Sequence, residues 1–312
     1  MKHAVWIVAA LITAVTSCAT NTVVVDDEFP ELRRWTTDDG VVYESLPSRD
    51  DALIIVLDGG VPASTIGFRI GDGDFTPSFF WFVLERLGDR AMVVTPEKFH
   101  AEPGGWYQYD EEFLLAYTAD NLIVHYARLI DAYLEEHPAQ RVYLFGASEG
   151  GMVLPAVYNS LEQRSRITKM VSAGAGGFNS TERFQVLAES GVETDPVTLF
   201  LHRNFHLTLA DIHSNPDSIE HTYVEIPYRY WYSFITYTPN DHFADIDIPV
   251  LFVHGRRDSV LPVESTEAVE SRWPNKPYEY VYFEDMGHGP RGSESQTDEF
   301  FAAIEAWLFD ER

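Results

Sequence analysis

Short apolar runs alternate with helical periods along most of the chain. Leu53-Ile54-Ile55-Val56-Leu57 sets five apolar residues in a row, and Ala91-Met92-Val93-Val94, Arg141 to Phe145, Lys169 to Gly174, Ile248 to Gly255 and Tyr278 to Phe283 are further runs of strand length. Runs without a polar alternation suit strands covered on both faces, as in a parallel sheet. Val41 to Leu46 reads as the first strand of the series. Between the runs lie helical patterns. Thr76-Pro77 offers a capping hydroxyl and then a proline, and the apolar residues that follow extend a helix to about Gly88. Leu122, Tyr126 or Ala127, Leu129-Ile130 and Tyr133-Leu134 recur at helical spacing within Tyr117 to Glu136, and Pro138 stops that helix. A helix from Pro262 and Glu264 to Trp273, and an amphipathic one from about Gln296 to Phe309, complete the pattern. Strands alternating with helices predict an α/β fold with a doubly wound, mostly parallel sheet.

Residues 178–247 break this rhythm. They contain no buried strand run, five histidines, and Tyr223, Tyr228, Tyr230, Trp231, Tyr232, Phe234 and Tyr237. The segment reads as an inserted helical cap, which divides the core into residues 31–177 and 248–312. Its aromatics either cover an apolar substrate or fill a small core of their own, and both readings stand. A second aromatic group, Phe99, His100, Trp106 and Tyr107, sits in the loop after the strand at Met92 and either lines a pocket or packs the surface.

The N-terminus is different again. Met1-Lys2-His3 is a short basic start, and Ala4 to Val15 is apolar but too short to span a membrane comfortably. Val15-Thr16-Ser17 then sets small residues before Cys18, the one cysteine of the chain. Residues 1–17 read as a secretory signal peptide, and the last four of this stretch resemble a bacterial lipobox. That resemblance implies export, acylation of Cys18 as the first mature residue, and, with Ala19 following, an outer-membrane lipoprotein; a plain signal peptide is the alternative. Residues 18–30, with Thr20 to Thr22 and Asp26 to Glu28, read as a polar tether.

Charge narrows the partners. The 312 residues carry 49 acids against 22 bases, a net charge of -27. Such a surface repels a phosphate backbone, which excludes nucleic acid as a partner and gives no attraction to anionic lipid. A lone cysteine excludes an internal disulfide and a thiolate metal cluster. His202 and His206 are four apart, but no glutamate adjoins them as a zinc-protease motif requires, so neither metal nor cofactor is expected.

The chemistry gathers where buried runs end. Arg141 to Phe145 stops at Gly146-Ala147-Ser148-Glu149-Gly150, and a helical pattern begins at once. This is G-x-S-x-G between a strand and a helix, a turn that lifts a serine hydroxyl off the sheet while small residues avoid the neighbouring backbone. A serine is a poor nucleophile until a base takes its proton, and the base needs an orienting acid. Asp258 lies five residues past Val253, and His288 five past Phe283, between Gly287 and Gly289. The order Ser148, Asp258, His288 is the one expected on this kind of sheet. Asp195 is a rival acid. His254, at the end of a buried strand, reads as a packed histidine. Asp58-Gly59-Gly60-Val61-Pro62 ends the strand at Leu53, and two glycines there leave amides uncovered. Gly60, with Val61 next, is the candidate donor to an oxyanion, beside the backbone N–H of Glu149; an ordinary strand-to-loop turn is the other reading. The Glu149 side chain is expected in solvent at a helix start, or in contact with a substrate amine.

Gly146-Ala147-Ser148-Glu149-Gly150, His254-Gly255-Arg256-Arg257-Asp258 and Gly287-His288 together resemble the α/β-hydrolases, over about residues 40 to 310. The usual His-Gly opening of the oxyanion turn is Asp58-Gly59 here. The resemblance implies an α/β-hydrolase fold and a serine hydrolase acting on a small-molecule ester or peptide, with Ser148 as nucleophile, His288 as base, Asp258 as orienting acid, and no cofactor. A peptidase of the same fold and a catalytically silent binding protein are the alternatives.

Overall fold

The computed structural model describes residues 22–25, 29, 31–46, 51–60, 64–69, 75–99, 111–192, 196–290 and 293–310. Cys18 and the apolar segment before it, Val61, His100, Trp106, Tyr107 and Asp195 lie outside the described residues.

The strands are β1 (Thr22–Val25), β2 (Leu32–Thr37), β3 (Gly40–Ser45), β4 (Ala52–Leu57), β5 (Gly67–Arg69), β6 (Phe75–Pro77), β7 (Met92–Pro96), β8 (Arg141–Ala147), β9 (Ile167–Ala173), β10 (Thr222–Tyr223), β11 (Ile226–Pro227), β12 (Val250–Gly255) and β13 (Tyr278–Phe283). The helices are α1 (Phe79–Leu87), α2 (Glu111–Ala116), α3 (Ala119–Glu136), α4 (Glu149–Ser160), α5 (Ser180–Ser190), α6 (Pro196–Ser214), α7 (Tyr228–Thr236), α8 (Pro239–His242), α9 (Glu264–Arg272) and α10 (Glu294–Leu308). Among the described residues, nine strands form the main sheet, in the order β1-β2-β3-β7-β4-β8-β9-β12-β13. From β7 to β13 every neighbour is parallel, and β1 to β3 join as antiparallel strands at one edge. The sheet is therefore mostly parallel, as the apolar runs predict.

The reason for those runs is visible in β4, buried along its whole length. Leu53, Ile55 and Leu57 point to one face, where α3 and α4 pack with Leu122, Ile130, Val153 and Val157. Ile54 and Val56 point to the other, where α1 and α10 pack with Phe80, Val83, Phe300 and Ile304. Side chains alternate between faces along a strand, so a sheet sandwiched by helices needs an apolar residue at each position.

Three expectations change. Residues 18–30 are not a tether throughout, because Thr22–Val25 pairs with Arg33–Thr36. Val41 to Leu46 is not the first strand, because β2 precedes it; Leu32 and Trp35 are buried three residues apart, a spacing with no strand period. Thr76-Pro77 does not start a helix: both residues lie in β6, paired with β5, and α1 begins after Ser78. The helix cap comes from elsewhere. Ser78 makes no side-chain cap bond, and the Phe80 amide donates to Asp58 Oδ2 at 3.2 Å.

Residues between β9 and β12 carry α5 to α8 and the small β10–β11 hairpin. Phe184, Phe205, Ile212, Tyr228, Trp231 and Ile235 form a core within this insert. The insert rests on the α3 and α4 side of the sheet. The Ala119 amide donates to Ser233 Oγ at 3.0 Å, and Tyr237 Oη to the Met152 carbonyl at 2.9 Å. Of the two readings of its aromatics, a core of their own accounts for Tyr228 and Trp231.

Candidate active site

Ser148 sits between β8 and α4 with φ 53° and ψ −122°. A non-glycine residue held there stores on the order of 1–3 kcal/mol of backbone strain. Close packing imposes the turn: a Cβ on Gly150 would stand 2.0 Å from the Leu57 carbonyl oxygen. The Ser148 amide is fixed by donation to the Ala173 carbonyl at 2.9 Å. Pro155 lies inside α4, which continues past it to Ser160.

The sheet order sets β8, β9, β12 and β13 side by side, so the loops leaving their carboxyl ends are neighbours. Ser148 follows β8, Asp258 follows β12 and His288 follows β13. His288 Nε2 lies 2.9 Å from Ser148 Oγ, and His288 Nδ1 lies 2.8 Å from Asp258 Oδ2. Nδ1 donates to the carboxylate, which leaves Nε2 as acceptor for the serine hydroxyl. Asp258 is 1% exposed, and its Oδ1 accepts from the amides of Val260 and Leu261, each at 2.8 Å. Burial pushes the Asp258 carboxyl upward, but the neighbouring His288 and His254 outweigh it and hold the group well below the ordinary carboxylate range. His254 is a buried strand residue that donates from Nε2 to the Leu261 carbonyl at 2.8 Å and stands 3.3 Å from Asp258 Oδ2.

The turn after β4 lies against the serine. A Cβ on Gly59 would come within 2.4 Å of Ser148 Cβ and 3.0 Å of the Glu149 nitrogen, so only glycine permits this approach. Gly60 follows with φ 82°. The Glu149 amide opens α4, where a helix offers no internal acceptor. Of the two sequence-nominated donors, the Glu149 amide directly follows Ser148 in the chain, and Gly60 lines the same cavity as the serine. Asp58, in the position of the usual histidine, caps α1, and its Oδ1 also accepts from the Gly59 amide at 2.6 Å. Burial pushes its carboxyl upward, against the bonds from Ser78, Phe80 and Gly59 and the charge of Lys98. A cavity of about 260 Å³ opens between this turn and the serine, with Pro77, Phe79, Ala147, Ala173 and Val260 among its walls.

The Glu149 side chain contradicts the sequence reading. It is 5% exposed, not solvated, and both oxygens are occupied within the chain. Oε1 accepts from Tyr117 Oη at 2.5 Å and lies 3.4 Å from Lys98 Nζ, and Oε2 accepts from Tyr230 Oη at 2.6 Å. A substrate amine finds no place on it. Sequence reasoning missed Lys98, Tyr117 and Tyr230. The available signal was the charged pair Glu97-Lys98 at the carboxyl end of a buried strand, the edge of the sheet where functional groups collect. His202 is buried and His206 exposed, so the two do not share an environment, and no cluster of metal-ligating side chains occurs among the described residues.

No family model matches the chain, and no curated protein matches it in sequence. Solved structures do match. The chain is similar to an esterase from Exiguobacterium antarcticum, with a TM-score of 0.54 and 15% identity over 93% of this chain and 100% of that one. It is similar to Est1E from Butyrivibrio proteoclasticus, solved with ferulic acid bound, with a TM-score of 0.57 and 14% identity over 92% and 97%. The acylaminoacyl peptidase of Pyrococcus horikoshii matches at a TM-score of 0.54 and 14% identity over 93% of this chain but 41% of that one. Strand order, the strained serine turn after β8 and these likenesses agree that the architecture of this chain is the α/β-hydrolase fold.

Proposed function

We propose that the chain is a serine hydrolase that cleaves a small carboxylic ester through an acyl-enzyme. The observation that carries this reading is the continuous relay from Ser148 Oγ through His288 to Asp258, at 2.9 and 2.8 Å. Ser148 Oγ attacks the ester carbonyl carbon while His288 Nε2 takes the hydroxyl proton. The carbonyl oxygen gains negative charge and is held by the amides of Glu149 and the Gly60 turn. The C–O bond to the alcohol then breaks, and Nε2 returns the proton to the departing oxygen. Water, deprotonated by the same nitrogen, attacks the acyl-enzyme, releases the acid and restores Ser148. Asp258 keeps the imidazole in the tautomer that faces the serine and stabilises its charged form.

The cavity beside Ser148 favours a short acyl group, since it holds about 260 Å³ and Pro77, Phe79, Ala173 and Val260 give it an apolar part. The structural likeness to an acylaminoacyl peptidase supports a second reading, cleavage of an amide by the same relay. A fluorophosphonate probe tests the common step. Wild type is expected to be labelled on Ser148 and S148A to remain unlabelled; an unreactive wild type would favour a silent scaffold. Aminoacyl anilides assayed beside nitrophenyl esters then separate peptidase from esterase.

We also propose, from the sequence at Val15 to Cys18, that the enzyme is exported and anchored through Cys18 as an outer-membrane lipoprotein. C18S is expected to move the protein from the membrane to the soluble fraction, and an unchanged distribution would remove the anchor from the account.

A further inference from the structure

Behind the Gly60 turn lies a set of linked, buried polar groups that the acyl-transfer steps do not use. Lys98 and Glu149 are both buried and stand 3.4 Å apart. Lys98 Nζ donates to the Gly60 carbonyl at 2.7 Å. Tyr117 Oη lies 3.3 Å from the same carbonyl while donating to Glu149. Tyr230, on α7 of the insert, donates to the other Glu149 oxygen and stacks on the Tyr117 ring at 5.2 Å and 23°. One carboxylate thus gathers a lysine from the loop after β7, a tyrosine between α2 and α3, and a tyrosine from the insert. Its own backbone begins α4, next to Ser148.

Stability alone gives little reason for this arrangement. Removing an ion pair from water costs several kcal/mol per ion, and well-packed apolar residues often serve as well or better. What the pair does here is directional. A cationic donor on the Gly60 carbonyl anchors the residue whose own amide is the candidate oxyanion donor, and polarisation through a hydrogen-bonded chain strengthens the neighbouring bonds. Burial and the charge of Glu149 push the Tyr117 hydroxyl well above the ordinary phenol range, so it remains a donor.

We infer that Lys98 and Glu149 are positioning residues for the oxyanion site. They hold the Gly60 turn in register over Ser148, and Tyr230 makes that register depend on a seated insert. The inference rests on the acyl-transfer reading above.

The test compares wild type with K98M/E149Q, which removes both charges together and leaves neither buried alone. The readouts are kcat, KM and the affinity of a trifluoromethyl ketone, which adds to Ser148 Oγ and places an oxyanion in the site. The double variant is expected to lose about 100-fold in kcat, the scale of one oxyanion donor. Inhibitor affinity should fall in parallel, with KM within threefold. A folded double variant that keeps kcat and inhibitor affinity within threefold of wild type overturns the positioning role alone. Y230F, which deletes one oxygen, keeps the test open if the double variant does not fold. It is expected to lose about tenfold in both quantities, and unchanged values overturn the role. A wild type that takes no fluorophosphonate on Ser148 overturns the acyl-transfer reading, and the positioning role with it.

Discussion

His288 Nε2 stands 2.9 Å from Ser148 Oγ although 140 residues separate them in sequence. The contact exists because β8 and β13 run the same way with two strands between them, so their carboxyl-end loops face one another. It also fixes a proton requirement. Nε2 can accept from the serine only while it carries no proton itself. Removing the ring, as in H288A, is therefore expected to lower kcat for ester hydrolysis by about 10⁶-fold. An H288A variant that keeps kcat within tenfold of wild type would remove His288 from the role of base.

Asp258→Asn should leave the geometry in place but free the imidazole to present the wrong nitrogen. A loss of about 10⁴-fold in kcat is expected, the scale at which a mis-set tautomer acts. Steady-state kinetics at neutral pH measures it, and a loss under tenfold would argue that another acid orients the ring.

The same carboxyl makes a statement about stability. Its folded value lies below the 3.8 of an unperturbed aspartate. An acid held low contributes stability that is complete above its unfolded value and is lost as pH falls through its folded value. The stability gap between wild type and D258N should therefore be full at neutral pH and shrink below about pH 4. Asp58 has the opposite sign, because burial raises it above 3.8. Its ionised form burdens the fold at neutral pH, and the burden is relieved on acidification. D58N should accordingly cost less at neutral pH than at acid pH. Urea titrations at several pH values decide both, and two gaps of the same slope would contradict the assignment.

Gly150→Ala places a methyl group where 2.0 Å of space separates it from the Leu57 carbonyl oxygen. The backbone of β4 and the start of α4 must part to admit it. A destabilisation of about 3 kcal/mol is expected, at the upper end of typical overpacking. Activity should be lost more steeply than stability, since Ser148 sits two residues away. An unchanged denaturation midpoint would show that the turn is looser than this contact.

The cavity beside Ser148, about 260 Å³ with Pro77, Phe79 and Val260 in its walls, sets an acyl limit. Nitrophenyl acetate and butyrate should be cleaved with higher kcat/KM than the dodecanoate, by about tenfold or more, because a chain of that length cannot enter the cavity without displacing its walls. Equal values along the series would place the acyl chain elsewhere.

Much of this site is legible in the residues themselves. The apolar runs locate the parallel strands because a sheet covered on both faces leaves no polar alternation. The strand ends then point to Ser148, Asp258 and His288, since chemistry collects at one edge of such a sheet. Glu149 is not legible in this way. At a helix start a glutamate suits solvent, and the groups that bury it, Lys98, Tyr117 and Tyr230, stand 51, 32 and 81 residues away with nothing local to link them. Thr76-Pro77 misleads for a related reason. A local cap is plausible there, but the α1 amide is met by Asp58, 22 residues earlier. The strand at Leu32 escapes because its two buried side chains, Leu32 and Trp35, stand three residues apart and show no strand period.

Asp58 accepts from Gly59 with one oxygen and from Phe80 with the other. Gly59 belongs to the turn packed against Ser148, and Phe79 beside Phe80 forms a wall of the cavity next to it. On the acyl-transfer mechanism proposed above, a single side chain therefore clamps the part that sets rate to the part that sets selectivity. An engineer who widens the acyl wall at the first turn of α1 will shift turnover as well, and the two properties must be optimised as one variable.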